Sequence, residues 1–401
     1  MAEWFMPGRE DFAVERAMLF LGMRRAMRYY RELVVPGIGG VWYVRQISWA
    51  LAGIALAGKS ARAYQASQIA NGIEALACKL RWYDGKEEGI RGTRAFARYE
   101  EAWDFSDLST RKYYVQVTFR QSTVGALRAL GFTSGGVRFN TMVLTDAGRE
   151  MVDLFLDSER TRNVLERWID KGALPDSGKT LLVIGQLTGT AAESQLLQKR
   201  LLADTIDNIG APDRRRYLIE AIKPVSGKAA VSLGKVKSQL KDAQRLEIET
   251  AEAFDRMLDA ARAVVHSTAH CLEARSEAEN SFVVRKVMPE IRKLSATAKH
   301  YVAKARESKK AHPESLMFAD AIVQGKVPQA VFDEVIKRDG AIVSAFGLQH
   351  VARGPLFDRR HRAGDATRTQ DAERDQADGQ ALEDSSTKLK VDQLRRLWRN
   401  H

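Results

Sequence analysis

Apolar residues along this chain recur mostly at the three- and four-residue spacing of helices. Val14, Met18, Leu21 and Met27 fall among Arg16, Arg24, Arg25 and Arg28, which predicts an amphipathic helix with a cationic side over residues 12–30, broken by Pro36-Gly37-Ile38-Gly39-Gly40. Residues 42–57 and 66–81 are nearly apolar and predict two buried helices, with Gly53 and Gly72 allowing close packing. Together these form a helical N-terminal domain, residues 1–105, whose loop at Asp84-Gly85, Gly89 and Gly92 has a basic exit. Further helices are expected over 164–170, 190–207, 213–222, 235–275 and 281–307, with a capping box at Thr190-Ala-Ala-Glu193 and Pro289 kinking or starting its helix. Pro328 opens another, followed by a stretch over 331–343, so residues 158–350 read as a helical C-terminal domain. From Arg359 to Lys388 the only large apolar residue is Leu382, which predicts a disordered charged tail within 351–401. Val391, Leu394, Leu397 and Trp398 then restore helical spacing, for a short terminal helix that folds on a partner or back onto the body.

One segment departs from pure helix. After Ser109 the pattern gives a helix, a polar turn, a second helix over 122–130 closed by Gly131, then Ser134-Gly135-Gly136, a strand-like run from Val137 to Leu144, and a helix capped at Thr145-Asp146 and reaching Phe155. That is the element order of a winged helix. The stretch from Gly125 to Gly131, followed by Leu144-Thr-Asp-Ala-Gly148-Arg149, resembles the recognition helix and post-wing segment of MarR-type winged-helix regulators over about 45 residues. The resemblance implies an embedded winged helix-turn-helix over 106–157, with Val124, Leu127 and Leu130 buried and Arg120, Arg128 and Arg138 facing DNA.

The whole chain is also similar to an uncharacterised bacterial family found in genomic islands carrying phage-defence genes. The likeness rests on the early Pro-Gly junction, on Leu127-Arg128-Ala129-Leu130-Gly131 and on Lys337-Arg338-Asp339-Gly340. It implies membership of a multi-component defence system and carries over no catalytic residue.

Charge points the same way. With 63 Lys plus Arg against 51 Asp plus Glu, the net charge of +12 favours polyanionic partners such as nucleic acid. Residues 285–310 hold nine basic side chains, among them Arg285, Lys286, Arg292, Lys293, Lys299 and Lys304, against two acids, with Tyr301 placed between them to stack on a base or sugar. Residues 199–245 hold eleven against five, including Arg214, Arg215 and Arg216. Phosphate contacts account for these clusters without sequence specificity, whereas the bland alternative is a set of solvated faces.

Catalytic signatures are sparse. Asp176-Ser-Gly178-Lys179-Thr180 looks like the end of a phosphate-binding loop, yet Ala173 stands where its first glycine belongs and a helix, not a strand, is expected before it. His266 and His270 lie four apart on a helix beside Cys271, with Glu273 and Glu277 nearby, so a metal site competes with ordinary packing histidines. Ser267 stands where the zincin motif has its glutamate, and no glycine-rich nucleophile elbow occurs. No cofactor is expected. Cys78 and Cys271 lie in separate helical patterns, the N-terminus lacks a secretory pattern, and Arg45 and Gln46 interrupt the longest apolar stretch, Val41 to Ala57. A reduced, cytoplasmic chain without a membrane partner is therefore expected. The sequence favours a mainly α, multi-helical fold and a non-enzymatic DNA-binding subunit of a bacterial anti-phage defence complex, partnered by a nuclease or helicase. The alternatives are a winged-helix transcriptional regulator and a metal-dependent hydrolase using His266 and His270.

Overall fold

Helices dominate the computed structural model, which describes residues 21–399 apart from 59–61, 157–158, 173, 175–182, 226–231, 274, 340–341, 346–348, 355–356 and 358–386. The first helices are α1 (Arg24–Val34), α2 (Val44–Ala57), α3 (Ala66–Tyr83), α4 (Thr93–Arg98), α5 (Phe105–Leu108) and α6 (Phe119–Ala129). A hairpin of β1 (Thr133–Gly135) and β2 (Met142–Leu144) precedes α7 (Asp146–Phe155), α8 (Glu159–Lys171), α9 (Ala191–Leu201), α10 (Ala211–Ile222) and α11 (Leu233–Ser238). The 31-residue α12 (Asp242–Leu272) leads to β3 (Glu277–Glu279), α13 (Asn280–Lys286), α14 (Met288–Ser308), α15 (Pro313–Gln324) and α16 (Pro328–Ile336). Last come β4 (Ile342–Ala345), β5 (His350–Arg353) and α17 (Thr387–Arg399).

Contacts divide the chain differently from the consecutive segments read in the sequence. One unit takes the described residues of Met1–Val34 and Leu240–Leu389, the other those of Val35–Gln239 and Lys390–His401.

In the unit containing Val35–Gln239, α2 and α3 pair closely because Gly53 lies on Ala70, where an added Cβ would fall 2.4 Å from the alanine methyl. The polar residues of α2 turn inward. Arg45 is fully buried, 3.2 Å from Glu193 and stacked 4.7 Å over the Phe155 ring. Glu193 also accepts a 2.6 Å hydrogen bond from the Ser48 hydroxyl, while the Thr190 amide donates to it at 2.7 Å in the expected capping box. Glu74, buried on α3, accepts from the Phe119 and Arg120 amides and from the Tyr114 hydroxyl, so it caps α6 from outside that helix. Burial pushes the Glu74 carboxyl up, opposed by those three hydrogen bonds. The terminal helix folds back onto the body: Val391, Leu394 and Leu397 are buried, and the Gln393 amide donates to the Gly39 and Val41 carbonyls. The expectation of a disordered stretch over 359–388 falls almost wholly outside the described residues.

In the other unit α12 packs along α14, with α1, α15 and α16 alongside. Its centre is aromatic. Tyr30 stacks on Phe254 at 4.5 Å, and the hydroxyls of Tyr30 and Tyr301 meet at 2.6 Å, with Ser315 2.7 Å from Tyr301. A three-stranded antiparallel sheet, order β3-β5-β4, pairs Glu277 with Ala352 and Ile342 with Arg353. This corrects two expectations. The stretch read as one element over 331–343 is divided: α16, opened by Pro328 as expected, stops at Ile336, and Ile342, whose amide donates to the Asp339 carboxylate, opens β4. Residue 351, expected to open the tail, lies instead inside β5, where Val351 is buried. The stretch read as one helix over 235–275 is likewise two, broken between Ser238 and Asp242.

Candidate nucleic-acid interface

The segment read as a winged helix shows part of the expected order. Residues 109–118 form turns rather than the helix expected after Ser109, and Tyr114 is drawn inward to Glu74. Thereafter α6, a short antiparallel hairpin with Thr133 opposite Leu144, and α7 follow; the strand expected over 137–144 is cut to Met142–Leu144 by a 3-10 turn at Phe139–Thr141, its partner falls on the expected turn at 134–136, and the Thr145 hydroxyl accepts from the Gly148 amide to cap α7. Leu127 and Leu130 are buried as expected, and Val124 is half-buried.

The arginines assigned to DNA in this segment are mostly engaged within the protein. Arg120 donates to the Asn71 side chain at 2.8 Å and lies 5.0 Å over the Phe139 ring, and burial holds its pKa below the ordinary arginine value. Arg128 forms a two-pronged pair with Asp207, at 3.0 and 3.1 Å. Arg138, on the hairpin, is exposed.

The arginine triplet on α10 divides three ways. Arg215 is fully buried and donates to the Leu201 and Pro36 carbonyls at 2.6 and 2.8 Å, so it is a structural residue and not a phosphate contact. Helical geometry explains this, since three consecutive residues point about 100° apart and one of them must face the core. Arg216 is exposed and pairs with Asp213 at 3.1 Å, and Arg214 is half-buried.

The third cluster stays at the surface. Arg285, Lys286, Arg292, Lys293 and Lys299 are all exposed, and none forms an ion pair among the described residues. Val287 separates α13 from α14, its amide donating to the Val283 carbonyl and its carbonyl accepting from the Ile291 amide, while Pro289 sits in the first turn of α14, where its missing N–H costs nothing. The acids near this face are occupied: Glu290 accepts from Ser267 at 2.9 Å, and Glu307 lies 3.2 Å from Lys304. Lys304 itself is engaged within the protein, since Glu249 also holds it at 2.8 Å. Tyr301 is also corrected. Its ring is buried and its hydroxyl engaged, so it presents no stacking face.

The cations of this face are regularly spaced in the sequence. Arg292, Lys299 and Arg306 recur every seventh residue of α14, which puts them on one side of that helix at intervals of roughly 10.5 Å, and Arg285 keeps the seven-residue spacing on α13. Between them Ala296 and Ala303 are small and exposed.

Among the described residues the histidine pair does not build a metal centre. His266 and His270 are exposed on α12, and the His270 Nδ1 lies 2.9 Å from Glu273. Among the described residues no group of three or more His, Cys, Asp or Glu is placed to hold a metal ion. The phosphate-loop-like run at 176–180 lies outside the described residues. No helix among the described residues is long and apolar enough to cross a membrane. No known protein family matches the chain, and neither a curated protein nor a solved structure gives a match.

Proposed function

We propose that this chain is a non-enzymatic nucleic-acid-binding subunit that holds DNA by its phosphates while a separate nuclease or helicase does the chemistry. The bacterial anti-phage setting comes from the sequence resemblance alone. The observation that carries the binding role is the exposed row on α13 and α14, where Arg285, Lys286, Arg292, Lys293 and Lys299 have no ion-pair partner among the described residues. Like charges gathered on one rod repel one another, and a polyanion relieves that repulsion while releasing its own counterions. The regulator reading has less support, because base-edge recognition by α6 would draw Arg128 away from Asp207 and Arg120 from Asn71.

The test is fluorescence anisotropy of the full-length chain with a mixed-sequence DNA duplex at several salt concentrations. Four phosphate contacts give a slope of about −3.6 in log affinity against log salt, a loss of roughly 150-fold between 50 and 200 mM. An affinity insensitive to salt, or no binding at 50 mM, would overturn the proposal.

A further inference from the structure

We infer that the face built by α13 and α14 takes a nucleic-acid duplex rather than a single strand, an inference that rests on the phosphate-holding role proposed above. Proteins that grip single strands combine positive charge with a series of exposed aromatic rings on which successive bases stack. This face has no such series. Tyr301 is buried in the aromatic centre of its unit, and Phe282 is half-buried between Arg275 and Lys286, at 4.9 and 5.9 Å from its ring. His300 is the one exposed ring among the described residues of the two helices.

What the face offers is a straight row of charge. From Arg292 through Lys299 to Arg306, which lies 3.6 Å from Asp320, the cations span fourteen residue steps of a single helix, roughly 21 Å, and Arg285 continues the spacing on α13. A duplex is itself a stiff rod with one negative charge per roughly 1.7 Å of axis, so it meets such a row without being ordered first. A single strand would have to be straightened along it, losing conformational freedom with no stacking to offset the loss. Exposed Ala296 and Ala303 leave the space between the cations open to a wide partner. The same exposed positions on α14 carry no large apolar side chain to enter a bilayer, which separates this face from a membrane-binding helix.

The experiment uses the full-length chain and compares a 24-base-pair DNA duplex with one of its separated strands at 50 mM salt. The duplex should bind at least about tenfold more tightly. Arg292→Glu combined with Lys299→Glu should flatten the duplex salt slope by about 1.8, at about 0.9 per lost contact. Arg285→Glu with Lys293→Glu is the second pair, and circular dichroism checks that both variants keep the helical fold. If the single strand binds as tightly as the duplex and both variants weaken it, phosphate holding stands and the duplex inference falls. If neither pair alters binding to either form, this face has no part in binding and both conclusions fall. Displacement of the duplex by phosphatidylserine vesicles at matched phosphate would overturn the inference in favour of a membrane surface.

Discussion

The Arg214–Arg216 triplet on α10 and the Arg292–Lys293 pair on α14 read alike in the sequence, as short basic runs on helices, and the fold uses them in opposite ways. Arg215 is enclosed, its N–H groups taken by two backbone carbonyls, and Arg216 leans on Asp213. Arg292 and Lys293 stand in solvent. Lys79 repeats the inward use elsewhere, since it is buried against the Tyr99 and Ala102 carbonyls and desolvation pushes its pKa down to about 8. Whether a basic residue is enclosed or stays in solvent thus depends on the partners that the fold brings to it, and density along the chain does not report them.

The largest effect expected from this contrast is on stability. Arg215→Ala strands two buried carbonyls, at roughly 1–3 kcal/mol each, and leaves a void, so a loss of about 3–5 kcal/mol is expected in denaturant titrations. Arg292→Ala should change stability by less than about 0.5 kcal/mol. Equal losses from the two variants would break the comparison.

Asp255 sharpens it from the acidic side. It accepts hydrogen bonds from the amide and hydroxyl of Thr387, both at 2.7 Å. Burial nevertheless pushes its carboxyl up from 3.8 to about 7, with Asp259 adding to the rise and Arg31 opposing it. Between about pH 4 and 7 the folded state therefore keeps a proton that the unfolded state has released, so stability falls as the pH rises through that window. Asp255→Asn should remove that part of the decline, roughly 1 kcal/mol per pH unit at mid-window, in unfolding measured from pH 5 to 8. An unchanged pH slope would place the carboxyl in water.

The smallest effect is expected at Arg128. Its pair with Asp207 is partly exposed, so Arg128→Ala should cost no more than about 0.5 kcal/mol of stability and alter duplex affinity by less than about twofold. A tenfold loss of affinity with an intact fold would mean that the arginine leaves Asp207 for a base edge, and would return the winged-helix reading to the centre.

Much of the helical layout was legible in the residues. Gly53 against Ala70, the Thr190–Glu193 capping box and the Thr145 cap all rest on contacts within a few residues or on backbone space that one residue type provides, and these survive translation from pattern to structure. The seven-residue spacing of Arg292, Lys299 and Arg306 on α14 belongs to the same class, because helical periodicity alone puts them on one side. The strands β3, β4 and β5 were not legible. They are three or four residues each, too short for alternation to emerge, and β3 pairs with a partner more than seventy residues away.

The sequence by itself therefore determined the helical class, the main breaks and caps, and which cations share a helix face, since all of these follow from local geometry. Only the tertiary structure decided which charges remain in water. Whether Arg120 meets Asn71, Arg128 meets Asp207, Arg215 meets Pro36 or Tyr301 meets Tyr30 depends on residues 49, 79, 179 and 271 positions away. Desolvation makes an unpaired buried charge expensive, so each inward-turned cation must be matched by a partner that the long-range fold delivers, and no local pattern encodes that delivery.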